Sequence, residues 1–160
     1  MTEGTISDRL VAYLKENGAS FRSLSHEAVR TSEEAARVRG TPLEQGAKAL
    51  VFRADGDAVL LVLPADRRVD SKTFKRIFGV KNLQMISADE LCERTGLEQG
   101  AVPPFGHLLG FKTYVDEGIL SLPQISFNAG SRTFSVILDV ADYRRLAHPI
   151  VARFAAEPSP

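Results

Sequence analysis

A mixed α/β domain, with a curved or barrel-like sheet surrounded by helices, is the fold class this sequence predicts, on three observations. Two apolar runs, Lys48–Phe52 and Val59–Leu63, flank Arg53-Ala54-Asp55-Gly56-Asp57, whose Asp-Gly step is a hairpin signal. Capped helical segments stand before and between the β-forming segments, without the regular strand–helix alternation of a Rossmann fold. No internal repeat, low-complexity linker or charge block divides the 160 residues. Residues 1–160 are therefore read as one domain, with 147–160 as a poorly specified tail; a domain of this length buries roughly 70% of its extended surface without staples.

The elements follow in chain order. Ser7–Asn17 reads as a helix with Ile6, Leu10, Tyr13 and Leu14 on its apolar side and Gly18 as its stop, and Phe21–His26 as a short strand. Thr31 with Glu34 three residues on is a capping-box pattern; it opens a helix that carries Ala35, Ala36 and Val38 and ends at Gly40. After the hairpin, Ser71–Phe78 is a helix stopped by Gly79, Val80–Ile86 returns as a strand, and Ser87 with Glu90 caps a short helix ending near Gly96. Leu97–Gly106 contains Gly100, Pro103, Pro104 and Gly106 and reads as an ordered loop. Strands are expected around His107–Gly110, Lys112–Val115, Gln124–Asn128 and Phe134–Leu138. A helix at Ala141–Leu146 and a tail taken as helical over Ile150–Ala155 finish the chain.

Composition narrows the function classes. Twenty basic and twenty acidic residues cancel, so net charge does not announce a nucleic-acid binder. The local distribution differs: between Arg67 and Lys81 six basic residues face the single acid Asp70. The lone Cys92 rules out an internal disulfide and suits a reducing compartment; inside its helix it reads as a buried small hydrophobe. Met1–Ile6 carries no basic-then-apolar leader, and no run approaches the roughly 18 apolar residues of a membrane span, so no membrane partner and a cytoplasmic location are expected. His26, His107 and His148 lack metal-ligand spacing, and neither a phosphate-binding loop, a dinucleotide fingerprint nor a nucleophile elbow is present. No metal and no cofactor are expected.

Four groups of residues can carry chemistry. Strand alternation sets Lys48 with Leu50 and Phe52 on one face, so its ammonium either reaches into a pocket or snorkels to solvent from the strand end. Gly100-Ala101-Val102-Pro103-Pro104 either presents its remaining backbone N–H and C=O groups to a ligand or is a rigid connector. Asn128-Ala129-Gly130-Ser131 permits close approach of a ligand and equally serves as a simple turn. Lys72, Lys75 and Arg76 share a helix face opposite the apolar Phe74, Ile77 and Phe78, giving either a solvated basic face or a surface for phosphates.

Taken in order, Ala47-Lys48-Ala49-Leu50-Val51-Phe52, the Gly100–Gly106 stretch, Tyr114-Val115-Asp116-Glu117 and Phe127-Asn128-Ala129-Gly130-Ser131 resemble the family of YbaK-type proteins and bacterial prolyl-tRNA synthetase editing domains. The resemblance runs from about Ser7 to Leu146. It implies a barrel-like mixed sheet with helices outside it and metal-independent hydrolysis of mischarged aminoacyl-tRNA, in trans and on tRNA-Pro or a related tRNA, with a synthetase as transient partner. It assigns the family lysine to Lys48, the glycine–x–x–x–proline loop to Gly100, Ala101, Val102, Pro103 and Pro104, and the segment lining the aminoacyl pocket to Asn128, Ala129, Gly130 and Ser131. Lys72, Lys75 and Arg76 become the expected tRNA contacts. Many free-standing members place a histidine soon after the last segment, where this chain has Arg132. Two other readings stay open: a non-catalytic RNA-binding or synthetase-associated module, and a hydrolase of small esters.

Overall fold

The computed structural model describes residues 5–157. The chain forms α1 (Ile6–Glu16), β1 (Phe21–Ser25), α2 (Ser32–Arg39), β2 (Ala47–Ala54), β3 (Asp57–Pro64), α3 (Ser71–Phe78), β4 (Leu83–Met85), α4 (Ala88–Thr95), β5 (Lys112–Asp116), α5 (Glu117–Leu120), β6 (Gln124–Ser131), β7 (Phe134–Asp139), α6 (Val140–Ala147) and β8 (Ile150–Ala152). Two sheets result, a mixed five-stranded one ordered β4-β2-β3-β5-β8 and an antiparallel three-stranded one ordered β1-β7-β6, with helices packed around them.

Local chemistry explains the best-defined elements. β2 and β3 pair antiparallel across a turn in which Asp55 and Gly56 both take positive φ, 47° and 92°, as a tight hairpin with right-handed strand twist demands. The hydroxyls of Thr31 and Ser87 and the carboxylate of Asp70 accept from backbone N–H groups in the first turns of α2, α4 and α3, which end at Gly40, Gly96 and Gly79. β3 lies between β2 and β5, and its Leu60, Leu61, Val62 and Leu63 are all fully buried, which explains an apolar run without alternation. Its alternate residues serve two cores. Leu60 and Val62 join Ala47, Ala49 and Val51 of β2 and the inner residues of β6, β7, α1 and α6. Leu61 and Leu63 join Phe52, Phe74 of α3 and Phe154.

Several expectations are corrected. The segment expected as a strand at His107–Gly110 is a 3-10 turn over Gly106–Leu109, because Gly106 N–H donates to the Thr113 hydroxyl and Phe111 N–H to the Gly106 carbonyl, closing the chain on itself. The tail expected as a helix over Ile150–Ala155 instead pairs parallel with β5 as β8; Phe154 and Ala155 N–H groups then donate to the Asp116 carboxylate. The strand at Val80–Ile86 shrinks to Leu83–Met85, and Cys92 is exposed on the outer side of α4, where Leu91 takes the core position. Ile77 and Val38 are each 42% exposed, so Phe74 and Phe78 alone seat α3.

Gly106 sits where no side chain fits: a Cβ there would lie 2.5 Å from Thr113 Oγ1 and 2.7 Å from the Phe111 carbonyl oxygen. Gly106→Ala is therefore expected to destabilise the domain by about 1–3 kcal/mol, the usual range for forced overpacking, measured as a shift in urea midpoint at constant slope.

Candidate active site

The two sheets meet where Gly46 and Ser126 bridge in parallel, just before β2. Lys48 and Asn128 follow two residues further along their strands. A cleft opens there, lined by Lys48 of β2, Asn128 of β6, Arg39 of α2, Gln99, Gly100 and Val102 of the loop, and Arg132, with Arg30, Thr31 and Ser32 at the start of α2 on the far wall. The lining holds four cationic side chains and no aspartate or glutamate, a set that suits an anionic ligand, with Glu98 3.8 Å from Arg132 and Asp66 and Glu33 acting on Lys48 from outside it.

β6 shows how the sequence builds one wall. Ile125, Phe127 and Ala129 point into the larger core, so Ser126 and Asn128 face the other way, toward α2. Ala35 packs on this side as a buried residue of α2, and its small side chain lets the helix approach. Arg39, one turn later, reaches Ser135 Oγ at 2.9 Å and Asn128 Oδ1 at 2.8 Å. Asn128 Nδ2 in turn donates to the Gly100 carbonyl at 2.7 Å.

Lys48 is half-buried, and among the described residues no carboxylate oxygen lies within 4.0 Å of its ammonium. Burial holds its pKa below the ordinary lysine value, and Arg68 pushes the same way against Asp66 and Glu33. The loop enters at an exposed Gly100 with φ of 86°, then Ala101 through Gly106 are buried, Phe105 fully so. Arg132 clamps the entrance: its Nε and one terminal nitrogen donate to the Gln99 carbonyl at 3.1 and 3.0 Å. The Ala101 N–H returns to Glu98 and its carbonyl accepts from Gly130, whereas the N–H groups of Gly100 and Val102 meet no acceptor among the described residues.

The structure thus brings Lys48, Gly100, Val102 and Asn128 to one cleft. Ala101, Pro103 and Pro104 are buried behind the loop's entrance, and Ala129 lies in the larger core. Gly130 packs against Ser7 of α1, while Ser131 bonds to Thr133. Lys72 and Arg76 are exposed on α3, with Lys75 partly so; the chain reaches this helix directly from Ala65 in the cleft wall. Arg39, Gln99 and the α2 cap were not singled out from sequence as site residues. The cap pattern was visible, but its closeness to Lys48 depends on the sheet seam. His26 contacts Ser135, while His107 meets His148 edge to face with ring centroids 6.2 Å apart. Among the described residues no group of three or more His, Cys, Asp or Glu side chains could hold a metal ion, and no helix is long and apolar enough to cross a membrane.

Residues 26–146 match the aminoacyl-tRNA editing domain. The chain belongs to that family. It is 39% identical over 160 residues to the multifunctional Ser/Thr-tRNA deacylase ProXp-y of Escherichia coli strain K12, covering 96% of each chain. It is 37% identical over 109 residues to the uncharacterized protein YwhH of Bacillus subtilis strain 168, covering 68% of this chain and 69% of that one. Among solved structures, one described as a candidate trans-editing enzyme for prolyl tRNA synthetase superposes with a TM-score of 0.83 at 26% identity, over 98% of this editing-domain chain and all of the other.

Proposed function

We propose that this editing domain hydrolyses, in trans, the ester that joins a wrong amino acid to the 3′ end of a tRNA, with serine or threonine as the amino acid removed. The single observation that carries the reading is the cleft at the sheet seam, where Lys48, whose ammonium meets no carboxylate within 4.0 Å among the described residues, shares a lining free of acids with Gly100 and Val102. The hydroxylated amino acids come from the name of the ProXp-y relative. The polar groups of Thr31, Ser32 and Asn128 in the lining are compatible with a substrate hydroxyl.

The chemistry needs stabilisation of charge that builds on the ester carbonyl and on the departing ribose oxygen. The free N–H groups of Gly100 and Val102 are donors for the first, and Lys48 neutralises charge at the tRNA terminus. Water is the nucleophile. No side chain of the lining is an evident general base, so a hydroxyl of the substrate positions the water, and catalysis rests on orientation and preorganised electrostatics. No step runs through a metal. tRNA-Pro is the carrier to test first, with prolyl-tRNA synthetase as transient partner.

The test is a panel of correctly and incorrectly charged tRNAs incubated with the purified protein at low concentration. Loss of Ser and Thr esters from tRNA-Pro, with Pro-tRNA-Pro retained, is the expected result. Ester loss no faster than in buffer would leave the non-catalytic RNA-binding module, and hydrolysis of short amino-acid esters at the same rate as the tRNA would point to a small-ester hydrolase. Discrimination should be modest where substrates differ by one methyl group, about 1–3 kcal/mol.

A further inference from the structure

In the cleft wall a guanidinium is partly buried without an acid to answer it. Arg39 ends α2, and among the described residues no carboxylate oxygen lies within 4.0 Å of it. Burial alone pulls its pKa down to about 10, so it keeps its charge at neutral pH. A partly buried cation held only by neutral oxygens gives up solvation that those contacts must offset. Its donors go to Ser135 Oγ at 2.9 Å, Asn128 Oδ1 at 2.8 Å and, more loosely, Ser126 Oγ at 3.5 Å.

The contact with Asn128 has a direction. Because Oδ1 accepts from Arg39, Nδ2 must face the Gly100 carbonyl, which it meets at 2.7 Å. Turning the amide over would set its NH2 group against the guanidinium and its oxygen against the Gly100 oxygen. The guanidinium therefore selects the one amide orientation that ties down the loop entrance.

We propose that Arg39 is a positioning residue of the editing site, acting through Asn128 to hold the Gly100 carbonyl and, with it, the Gly100–Val102 backbone in place. The inference rests on the deacylase reading for its effect on turnover, and on geometry alone for its effect on the loop. A plain strut between α2 and the β6–β7 sheet would use the same contacts but would not transmit anything to Gly100. The two roles separate in a double-mutant cycle.

The experiment compares wild type, Arg39→Met, Asn128→Ala, the double variant and Asn128→Asp by deacylation kinetics, thermal melts and amide exchange at Ala101 and Gly130. Each single variant of the cycle is expected to lower kcat about tenfold with KM within about threefold, and the double variant to be no slower than the slower single. Exchange at both amides should quicken in the same non-additive way. Asn128→Asp strengthens the contact with Arg39 yet sets a carboxylate against the Gly100 carbonyl, so it should lose kcat while its melting temperature holds. Multiplicative kcat losses, wild-type turnover in a folded Arg39→Met variant, or unchanged amide exchange would overturn the proposal. If Arg39→Met does not fold, Asn128→Asp decides, since a strut predicts undiminished turnover there. If wild type itself removes no amino acid from any charged tRNA, the deacylase reading fails, and the exchange measurements alone decide whether Arg39 holds the loop.

Discussion

Replacing Lys48 by alanine is expected to lower deacylation turnover by about 100-fold or more, the scale seen when one preorganised electrostatic contact is taken from a water-poor site, while the melting temperature stays nearly unchanged. The two halves of the prediction have separate causes. Turnover falls because Lys48 is the one lining cation on β2 and shares the cleft with Gly100 and Val102, whose N–H groups meet no acceptor among the described residues. Stability holds because no carboxylate pairs with its ammonium, so removal orphans no partner.

The sign of the pKa shift agrees. The Lys48 pKa is lowered in the folded chain, so keeping it charged opposes folding below that pKa, and the penalty fades as pH rises through it. Removing the ammonium at neutral pH therefore relieves a small cost. The same shift sets a kinetic signature: the rate advantage of wild type over Lys48→Ala should persist while the ammonium is protonated and decline as pH rises through a value below that of an ordinary lysine. Unimpaired turnover by the folded variant would remove Lys48 from the mechanism, and a melt lowered by several degrees would show that it supports the fold.

How far these residues could be read from sequence depends on the range of the forces involved. α3 was legible to its ends because its signals are local: the amphipathic spacing and Gly79 lie within one short window. The β2–β3 hairpin was legible for the same reason. β8 was not, since Ile150-Val151-Ala152 becomes a strand only by adding to the edge of β5, a partner more than thirty residues earlier in the chain. The 3-10 turn at Gly106 depends likewise on the hydroxyl of Thr113.

The site divides along the same line. Lys48, Gly100 and Asn128 carried a family resemblance in their order along the chain. Arg39 carried none, because as a sequence feature it is a basic residue in the last turn of a helix, which has an ordinary electrostatic explanation. Its contact with Asn128 follows from the seam between the sheets and from the alternation of β6, which turns Ser126 and Asn128 toward α2. Arg132 is an intermediate case. Its departure from the family's histidine was visible, but its bonds to the Gln99 carbonyl, which make it a clamp on the loop, required the fold.

The triple variant Lys72→Ala, Lys75→Ala, Arg76→Ala is expected to bind tRNA more weakly and with a shallower dependence on salt. Phe74, fully buried against Tyr114 and Phe154, fixes α3 to the domain and leaves Lys72 and Arg76 exposed, with Lys75 beside them. From the cleft wall at Ala65 the chain runs to this helix through Arg67 and Arg68, with Asp66 and Asp70 between them and their neighbours, so basic residues outnumber acids along the path once those of the helix are included. A tRNA whose 3′ end enters the cleft can then lay acceptor-stem phosphates along α3. Every phosphate deprived of its cation should flatten the plot of log affinity against log salt by roughly 0.7–0.9, so three such phosphates amount to about 2–3. Between 50 and 200 mM salt, wild type should on that basis lose roughly 15- to 60-fold more affinity than the triple variant. The choice of amino acid should hardly change, because phosphate contacts position the substrate without reading the aminoacyl group. Affinities across a salt series, with a melt as folding control, decide the matter: identical slopes would move docking to another surface, and a change in amino-acid preference would mean that α3 bears on the pocket itself.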